Sequence, residues 1–339
     1  MFRFTTKISF FVLSLFLLTA CQSEKKQIAL TGSTMGTYYS IKYLAQDNIP
    51  SKEQIQKEID AVLEQVNNQM STYRKNSELS QFNQSRGEEP FPVSSATATV
   101  VKEAIRLNKI TEGALDITVG PLVNLWGFGP GDRPEQIPSK ADLAQAYQRV
   151  GIQYLAVDGN KLIKKIPNLY VDLSSIAKGY GVDAVAHYFD KKKITNYLVD
   201  IGGELHLKGV NVHNKPWRVA VEKPTPGEQK TVQLILQPGD MAVATSGDYR
   251  NYFEEDGIRY SHTINPKTGL PITNHLVSVT VIDKSCMTAD GIATGLDVLG
   301  PEKALEVANQ HNIATYMIEK TADGYKEIIS EAFKPYLER

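Results

Sequence analysis

The segment HLVSVTVIDKSCMTADGIATGL (residues 275–296) contains both kinds of secondary structure from which this chain is built. Its first half is apolar and rich in valine, as in a strand, and its second half has apolar residues at helical spacing. The predicted helix includes Gly291 and Gly295, each of which costs roughly 1 kcal/mol relative to alanine inside a helix. Elsewhere, strand-like runs follow one another without an intervening helix, which favours an α+β fold with a mixed or antiparallel sheet packed by helices.

Helical periodicity predicts three further helices, over residues 51–70, 95–111 and 140–149. Ser51 and Gln54 fit a capping box at the start of the first of them. The strand-like runs are Tyr38–Leu44, Leu169–Leu173, Tyr197–Ile201, Arg218–Glu222, Val232–Leu236, Met241–Thr245 and Val277–Ile282. The length of the chain suits one large domain or two small ones.

The N-terminal stretch MFRFTTKISFFVLSLFLLTAC has the features of a secretory signal. A basic region precedes an apolar run, and LTAC (residues 18–21) resembles the site at which bacterial lipoproteins are cleaved and lipidated on cysteine. We therefore predict a lipoprotein signal peptide over residues 1–20, a lipidated N-terminus at Cys21 with a short linker over 21–30, and the folded domain over 31–339. An uncleaved signal anchor is the alternative, which the polar residues after Cys21 disfavour.

Charge and cysteine content narrow the possible functions. The chain has 37 basic and 38 acidic residues, for a formal net charge of −1, which gives no reason to expect nucleic acid as a partner. If Cys21 is lipidated, Cys286 is the other cysteine and no internal disulfide can form. Because Cys286 lacks the neighbours of a reactive thiol, we predict that it is a small core residue.

Asp290 and Thr294 lie four residues apart in the predicted helix and therefore share one face, together with Asp297. A carboxylate and a hydroxyl suit a hard cation such as Mg²⁺, whose shell is usually completed by substrate phosphate and water. Gly291 and Gly295 would then allow a phosphate ligand to approach the helix. On spacing alone, however, a solvated helix face is the simpler explanation.

The segment AKGYGVDAV (177–185) matches the dinucleotide-binding pattern G-x-G-x-x-A, and Asp200 follows where that pattern has an acidic residue. In dinucleotide-binding folds the glycine turn directly follows a strand, whereas here the residues SSIA separate the glycines from the strand predicted to end at Leu173. We therefore interpret these small residues as a means of close helix packing.

Two further segments contain candidate site residues. In RYSHTINPKTG (259–269), His262 precedes a turn and is suited either to accept a proton at neutral pH or to a structural role. In GALDITVGPLVNLWGFG (113–129), glycines and apolar residues accompany Asp116 and Trp126. That composition fits either a pocket for a planar ligand or a core strand followed by a loop.

Eight motifs occur together and in one order. They are Thr34-Met35-Gly36-Thr37, STY (71–73), GALDITVGPLVNLWGFG, VDLSSIAKGYGVD (171–183), VDIGGE (199–204), TSGDY (245–249), SHTINPKTG (261–269) and TADGIATG (288–295). The same motifs occur in the same order in the ApbE family, so the chain resembles that family. Its members are FAD:protein FMN transferases and often bacterial lipoproteins. The resemblance spans nearly the whole chain after residue 31 and implies a single large ApbE-type domain.

The resemblance implies that FAD is the donor substrate, that Mg²⁺ is the cofactor, and that FMN passes to a threonine or serine hydroxyl of an acceptor protein with release of AMP. It places the metal on Asp290 and Thr294, with the backbone carbonyl of Ser175 as a further ligand, and it makes His262 the base for the acceptor hydroxyl. Flavin nucleotide contacts carry over to Met35, Tyr73, Ala114, Leu115, Asp116, Asp172, Lys178 and Ile264. One departure is Asn265, where the family commonly has aspartate.

Two other functions fit the same features. With water as the acceptor, the chain would be an FAD pyrophosphatase that releases FMN and AMP. A non-catalytic, lipid-anchored flavin-binding protein would explain the signal and the pocket but not the set of Asp290, Thr294 and His262. For a transferase, family resemblance implies acceptors such as subunits of the sodium-pumping quinone reductase or of Rnf-type complexes. Because such acceptors reside in the inner membrane, we expect the lipid anchor to hold the protein to the periplasmic side of that membrane.

Overall fold

The computed structural model describes residues 26–87, 89–131, 137–222, 232–247, 252–255 and 258–337, so the predicted signal peptide and Cys21 lie outside the described residues. The helices are α1 (Lys52–Met70), α2 (Glu78–Gln84), α3 (Ser95–Ile110), α4 (Gly120–Leu125), α5 (Lys140–Tyr147), α6 (Ala177–Lys191), α7 (Cys286–Leu299) and α8 (Pro301–Gln310), with short 3-10 helices at Ile152–Tyr154 and Glu331–Tyr336. The strands are β1 (Gln27–Thr34), β2 (Thr37–Leu44), β3 (Phe91–Pro92), β4 (Leu155–Asp158), β5 (Lys161–Lys164), β6 (Tyr197–Ile201), β7 (Glu204–Lys208), β8 (Val219–Glu222), β9 (Val232–Leu236), β10 (Ala242–Ser246), β11 (Tyr252–Glu255), β12 (Ile258–Ser261), β13 (Leu276–Asp283), β14 (Ala314–Thr321) and β15 (Gly324–Ile329).

The central sheet has eight strands in the order β1-β2-β6-β7-β10-β13-β14-β15. Every neighbouring pair in it is antiparallel, which confirms the predicted α+β fold and its antiparallel sheet. β1 begins at Gln27, inside the segment that we predicted to be a linker, and pairs with β2 along its whole length. Met35 and Gly36 join the two strands with positive φ angles of 51° and 72°, as a type I′ hairpin turn requires.

Helices cover one face of this sheet. α1 buries the apolar stripe predicted from its periodicity, with Ile55, Ile59 and Leu63 facing the sheet. From the sheet side, alternate residues of β2 (Tyr39 and Ile41) enter the same hydrophobic cluster, as the two-residue period of a strand dictates. The cluster also includes apolar residues of β6 and α6.

The other face of the sheet is covered by the β8–β9 ribbon and the C-terminal 3-10 helix. β14 shows the division, because Met317 joins the cluster beneath the helices, whereas Tyr316 and Ile318 join the cluster that contains Trp217 and Phe333. A strand that is buried on both faces is expected to be apolar throughout. β13, the strand of the 275–296 segment, fits this expectation, because six of its eight residues are buried.

Two local predictions were wrong. Leu169–Leu173 is not a strand: the main chain of Val171 exchanges hydrogen bonds with the side-chain amide of Asn83, and Asp172 N donates to Ile117 O (2.7 Å), so this segment is paired with a side chain and a loop. At α1, Ser51 accepts a hydrogen bond from Gln54 N, but the Gln54 amide donates to Glu58 Oε1 (2.6 Å) instead of completing a capping box.

α6 and α7 cross at close range because residue 179 has no side chain. A Cβ on Gly179 would lie 2.8 Å from the Cβ of Asp290 and still closer to the main-chain carbonyl of Cys286. The carboxylate of Asp183, one turn further along α6, accepts hydrogen bonds from Cys286 N (2.9 Å) and Met287 N (3.0 Å) and so satisfies two of the free donors of the first turn of α7. The interpretation of AKGYGVDAV as a helix-packing segment is thus confirmed.

Cys286 is fully buried in the cluster under α1 and α6, as predicted for a small core residue, and burial raises the pKa of its thiol well above the usual value. Among the helices of the described residues, none has the length and apolar character needed to cross a membrane.

We predict that Gly179→Ala lowers the free energy of unfolding by about 1–3 kcal/mol, the usual cost of overpacking, because the added methyl group meets immobile main chain of α7. Gly181→Ala is the matched control on the same helix. Its methyl group would come closest to the end of the flexible Met35 side chain, at 2.6 Å, and would make an ordinary contact with Ile201, at 3.7 Å. Alanine also favours a helix by about 1 kcal/mol over glycine, so little stability should be lost. Urea unfolding followed by circular dichroism measures both, and equal losses would contradict this account of the crossing.

Candidate active site

A single large cleft receives all of the predicted site residues that lie in the described part of the chain. Its volume is about 2660 Å³. The predicted residues that line it are Met35, Tyr73, Ala114, Leu115, Asp116, Asp172, Ser175, Lys178, His262, Ile264, Asp290 and Thr294. Pockets for drug-sized ligands typically measure about 300–1,000 Å³, so this cleft has room for a dinucleotide together with part of a second molecule.

Two carboxylates and one ammonium group form the charged centre of the cleft. Lys178 Nζ lies 2.7 Å from Glu204 Oε1 and 3.6 Å from Asp290 Oδ1. The other oxygen of Asp290 accepts a hydrogen bond from Gly179 N (2.9 Å). The side chains of Asp290 and Glu204 are only 7% and 4% exposed, so the protein keeps two acidic groups beside one cation with little help from solvent.

The pKa values in this centre reflect burial and the nearby charges. Burial raises the pKa of Asp290, although Lys178 and the Gly179 amide oppose the shift. Burial also raises the pKa of Glu204 to about 7, against the lowering effect of Lys178. For Lys178, burial acts to lower the pKa, but the charges of Asp290 and Glu204 outweigh burial and the net shift is upward.

Two further residues with oxygen atoms suited to a metal ion line the cleft together with Asp290. Thr294 lines the cleft one turn further along α7, where its hydroxyl donates to Asp290 O (3.2 Å) and keeps its lone pairs. Ser175 also lines the cleft, in the turn before α6. The main-chain hydrogen bonds of α6 begin at the next residue, where Ile176 O accepts from Tyr180 N (3.1 Å). A carboxylate, a hydroxyl and a nearby main-chain carbonyl are hard ligands that fit Mg²⁺.

A cation held here would need ligands from outside the protein. Within the residues that the structure describes, no group of three or more histidine, cysteine, aspartate or glutamate side chains is placed to hold a metal ion. Mg²⁺ commonly binds with one or two carboxylates and completes its octahedral shell with phosphate oxygens and water. The donor set around Asp290 therefore fits a Mg²⁺ ion that binds together with a phosphate ligand.

The glycines of α7 do not serve the purpose that their sequence suggested. A Cβ on Gly291 would lie 2.6 Å from Leu107, and one on Gly295 would lie 2.5 Å from Thr111, so both glycines face α3 and its C-terminal cap. They allow close packing of α7 on α3 and not the approach of a phosphate ligand. Asp290 and Thr294 are on the neighbouring face of the helix, and the earlier explanation of the glycines was wrong.

Asp297 lies on the same face of α7 as Asp290 and Thr294, and it is buried rather than solvated. Its side chain is fully buried, and one carboxylate oxygen accepts a hydrogen bond from Ser246 Oγ (3.0 Å) at the end of β10. Its main-chain carbonyl accepts from Asn274 Nδ2 (2.7 Å). Asp297 therefore fastens α7 to the sheet and the loop before β13.

Asp116 and Asp172 order two loops that line the cleft. Asp116 Oδ1 accepts hydrogen bonds from the amide (2.7 Å) and the hydroxyl (2.6 Å) of Thr118. Asp172 Oδ1 accepts from Ser174 N (2.9 Å) in the turn that leads into α6. Burial raises the pKa of Asp172, which is 7% exposed. The apolar run 113–129 forms turns and the short helix α4, which rules out the alternative of a core strand followed by a loop.

His262 follows β12 and lies half-buried at the cleft. Its ring is edge-on to the ring of Phe128, with 6.4 Å between the two ring centroids. The turn after it is held by the buried indole of Trp126, which donates to Gly269 O (2.8 Å). Trp126 therefore supports the histidine loop, whereas Phe128, the other aromatic residue of its segment, lines the cleft. Asn265 Oδ1 accepts from Lys267 N (2.9 Å), a contact that an aspartate would make equally well.

Tyr73 lies at the mouth of the cleft. Its side chain is 67% exposed, and its hydroxyl donates to Phe128 O (3.2 Å) across the opening. An exposed aromatic ring held by its polar end is a suitable platform for a planar ligand.

Glu204 is a charged residue of the cleft that was not predicted from the sequence. Alternation along β7 separates Leu205 and Leu207 from Glu204, His206 and Lys208, and the polar set would ordinarily face solvent. Instead α6 covers that face and supplies a charged partner to each member. The pairs are Glu204 with Lys178 (2.7 Å), His206 with Asp183 (3.0 Å) and Lys208 with Asp190 (2.9 Å). The detectable signal was a carboxylate directly after the Gly202-Gly203 turn, at the first position of a strand.

Comparison with known proteins gives consistent results. Residues 35–317 match the model of the ApbE family. The FAD:protein FMN transferase of Vibrio cholerae is 59% identical over 326 residues, which cover 96% of this chain and 97% of that protein. The FAD:protein FMN transferase of Escherichia coli K12 is 45% identical over 315 residues, which cover 91% of this chain and 88% of that protein.

Solved structures show the same fold. The flavin transferase ApbE from Vibrio cholerae superposes with a TM-score of 0.87 at 57% identity, covering 92% of this chain and all of that one (100%). The ApbE protein from Thermotoga maritima, at 27% identity, still gives a TM-score of 0.80 over 93% of this chain and 100% of its own. The fold implied by the motif order is thereby confirmed.

Proposed function

The chain belongs to the ApbE family, and we propose that it is an FAD:protein FMN transferase, which moves FMN from FAD to a hydroxyl group of an acceptor protein and releases AMP. The observation that carries the proposal is the convergence of Asp290, Lys178 and His262 on one cleft large enough for FAD and an acceptor segment. The relatives from Vibrio cholerae and Escherichia coli are FAD:protein FMN transferases, which supports FAD as the donor and FMN as the transferred group.

The cleft contains a suitable place for a pyrophosphate. The N-terminus of α6 opens onto it, and Ser174, Ser175 and Lys178 line it there. A helix N-terminus carries partial positive charge and favours a phosphate group, and the ammonium of Lys178 adds a full charge beside it.

We place the Mg²⁺ of the reaction on Asp290, Thr294 and the carbonyl of Ser175. When bound, the ion would neutralise charge that develops on the phosphate oxygens. Asp290 contributes the negative charge of the site, whereas Thr294 contributes a neutral hydroxyl oxygen. Lys178 would hold the pyrophosphate from the side of α6.

The transfer itself needs an acceptor hydroxyl that has lost its proton. His262, which also lines the cleft, would accept that proton as the acceptor oxygen bonds to the phosphorus of FMN. The bond between that phosphorus and the bridging oxygen of the pyrophosphate breaks, and the bridging oxygen leaves with AMP. Tyr73 and the 113–129 segment would hold the flavin portion while this exchange takes place.

Incubation with FAD, with and without Mg²⁺ and a candidate acceptor, tests the proposal against its alternatives. A transferase adds the mass of FMN to the acceptor and releases AMP. An FAD pyrophosphatase would release AMP and free FMN without labelling the acceptor, and a flavin-binding protein without catalysis would release neither.

We propose as acceptors membrane redox subunits with a threonine-containing motif, such as those of sodium-pumping quinone reductase or Rnf-type complexes.

We also propose that lipid on Cys21 anchors the protein to the periplasmic face of the inner membrane, on the basis of the LTAC sequence. Cys21→Ser should release the protein into the soluble periplasmic fraction and leave FMN transfer in vitro unchanged, because residue 21 precedes the first strand of the domain. Cell fractionation measures this, and a variant that stays with the membrane would exclude lipid on Cys21 as the anchor.

For the base, we predict that His262→Ala slows FMN transfer by about 10²–10⁴-fold, the usual contribution of a positioned acid–base group, with a much smaller change in FAD affinity. His187→Ala is the matched control, because that histidine is exposed on α6 and does not line the cleft. Transfer rates and FAD binding are measured for both variants. Transfer by His262→Ala at the wild-type rate would mean that His262 has a structural role.

For the metal, we predict that Asp290→Ala nearly abolishes AMP release and FMN transfer, because the cation loses its charged ligand. Thr294→Val removes only a hydroxyl, so it should weaken the apparent Mg²⁺ affinity and be partly rescued at high Mg²⁺. AMP release across a Mg²⁺ titration measures both variants. An unchanged Mg²⁺ dependence in Asp290→Ala would place the cation elsewhere.

A further inference from the structure

Lys178 is held by one of its two acidic neighbours and not by the other. Its ammonium lies 2.7 Å from Glu204 Oε1, a normal distance for a charge-assisted hydrogen bond. Its distance to Asp290 Oδ1 is 3.6 Å, which is too long for a hydrogen bond. Lys178 is therefore bonded to Glu204 and only attracted by Asp290.

The oxygen that Lys178 does not reach is the one that a metal ion would need. Asp290 Oδ2 already accepts the Gly179 amide at 2.9 Å, so Oδ1 is the oxygen available to a cation at the cleft. An ammonium group and a divalent cation would compete for that oxygen. Without another partner, Lys178 would be drawn onto Asp290, because the attraction between two close charges is strong where water is largely excluded.

The position of Glu204 is fixed by the fold. It is the first residue of β7, follows the Gly202-Gly203 turn, and is 3% exposed. The other pairs between α6 and β7, at His206 and Lys208, hold the helix over the strand. Glu204 Oε2 is buried and has no hydrogen-bond partner among the described residues. A buried carboxylate oxygen without a donor is costly, which disfavours a purely structural role for this side chain.

We propose that Glu204 is a positioning residue for metal binding: it holds the ammonium of Lys178 away from Asp290, so that Asp290 Oδ1 is free for a divalent cation while Lys178 stays in the cleft beside the phosphate. This inference rests on the proposed function for the identity of the cation. It assigns to Glu204 an indirect action, through Lys178, and no contact with the metal.

The test is a double-mutant cycle on metal affinity. Mn²⁺, which can be followed by electron paramagnetic resonance as it binds, replaces Mg²⁺, and no FAD is present. Glu204→Gln should weaken Mn²⁺ binding by about tenfold, since the coupling between residues in contact commonly changes an equilibrium constant by about that factor. In a Lys178→Met background the same substitution should change the affinity by about twofold or less, because the competing ammonium is gone.

Two further variants separate this role from general damage. Glu204→Asp keeps the charge and should retain part of the Mn²⁺ affinity. Asp190→Asn breaks the exposed Lys208 pair of the same α6–β7 contact and should leave Mn²⁺ binding unchanged. Thermal unfolding of each variant shows whether it is folded.

An equal loss of Mn²⁺ affinity in both backgrounds would overturn the inference, because Glu204 would then act on the cation directly. A wild-type protein that binds no Mn²⁺ would also overturn it. Flavin transfer is measured separately, as FMN mass added to an acceptor, so a failure of the proposed function is distinguishable from a failure of this role.

Discussion

The carboxylate of Asp183 holds the first turn of α7 against α6, and the geometry of the cleft depends on that contact. Three donors of α7 and its N-cap (Ser285 Oγ, Cys286 N and Met287 N) converge on this one side chain. The absence of a side chain at Gly179 lets the two helices approach, which brings the Gly179 amide to the carboxylate of Asp290. A wider crossing would separate Asp290 from Lys178 and remove the charged centre altogether.

The charge of that centre explains why it suits a cation and a pyrophosphate together. With both acids ionised, Asp290 and Glu204 carry two negative charges against one positive charge on Lys178, and burying such an imbalance is costly. The raised pKa values of both acids express that cost. A divalent cation on Asp290 would reverse the sign of the balance, and the site would then attract the phosphate groups that a bare pair of carboxylates repels.

The sequence predicted the parts of this site that depend on local order along the chain. The residues assigned through the motif order meet in the cleft because each lies in a loop or in the first turns of a helix at its edge, as Asp172, Lys178 and Asp290 do. It failed where the answer depended on what packs across a face. Gly291 and Gly295 face α3, and Glu204 faces α6, and neither neighbour can be read from the adjacent residues. Leu169–Leu173 has the composition of a strand, yet its backbone pairs with Asn83.

The two sides of the cleft come from different parts of the chain. One side consists of α6, α7 and the start of β7, and it holds the charged centre. The other side consists of the 113–129 segment and the loop after β12, tied to each other by the bond from Trp126 to Gly269 O. His262 belongs to this second side, where Asn265 keeps the turn bond that an aspartate would make. The two sides are nevertheless in contact: Ala114 of the 113–129 segment and Ile272, which follows the turn after His262, pack in one hydrophobic cluster with Val298 of α7. The group proposed to accept the proton and the helix that carries Asp290 therefore share one support, so a change in the loop that carries His262 would also reach the geometry around Asp290.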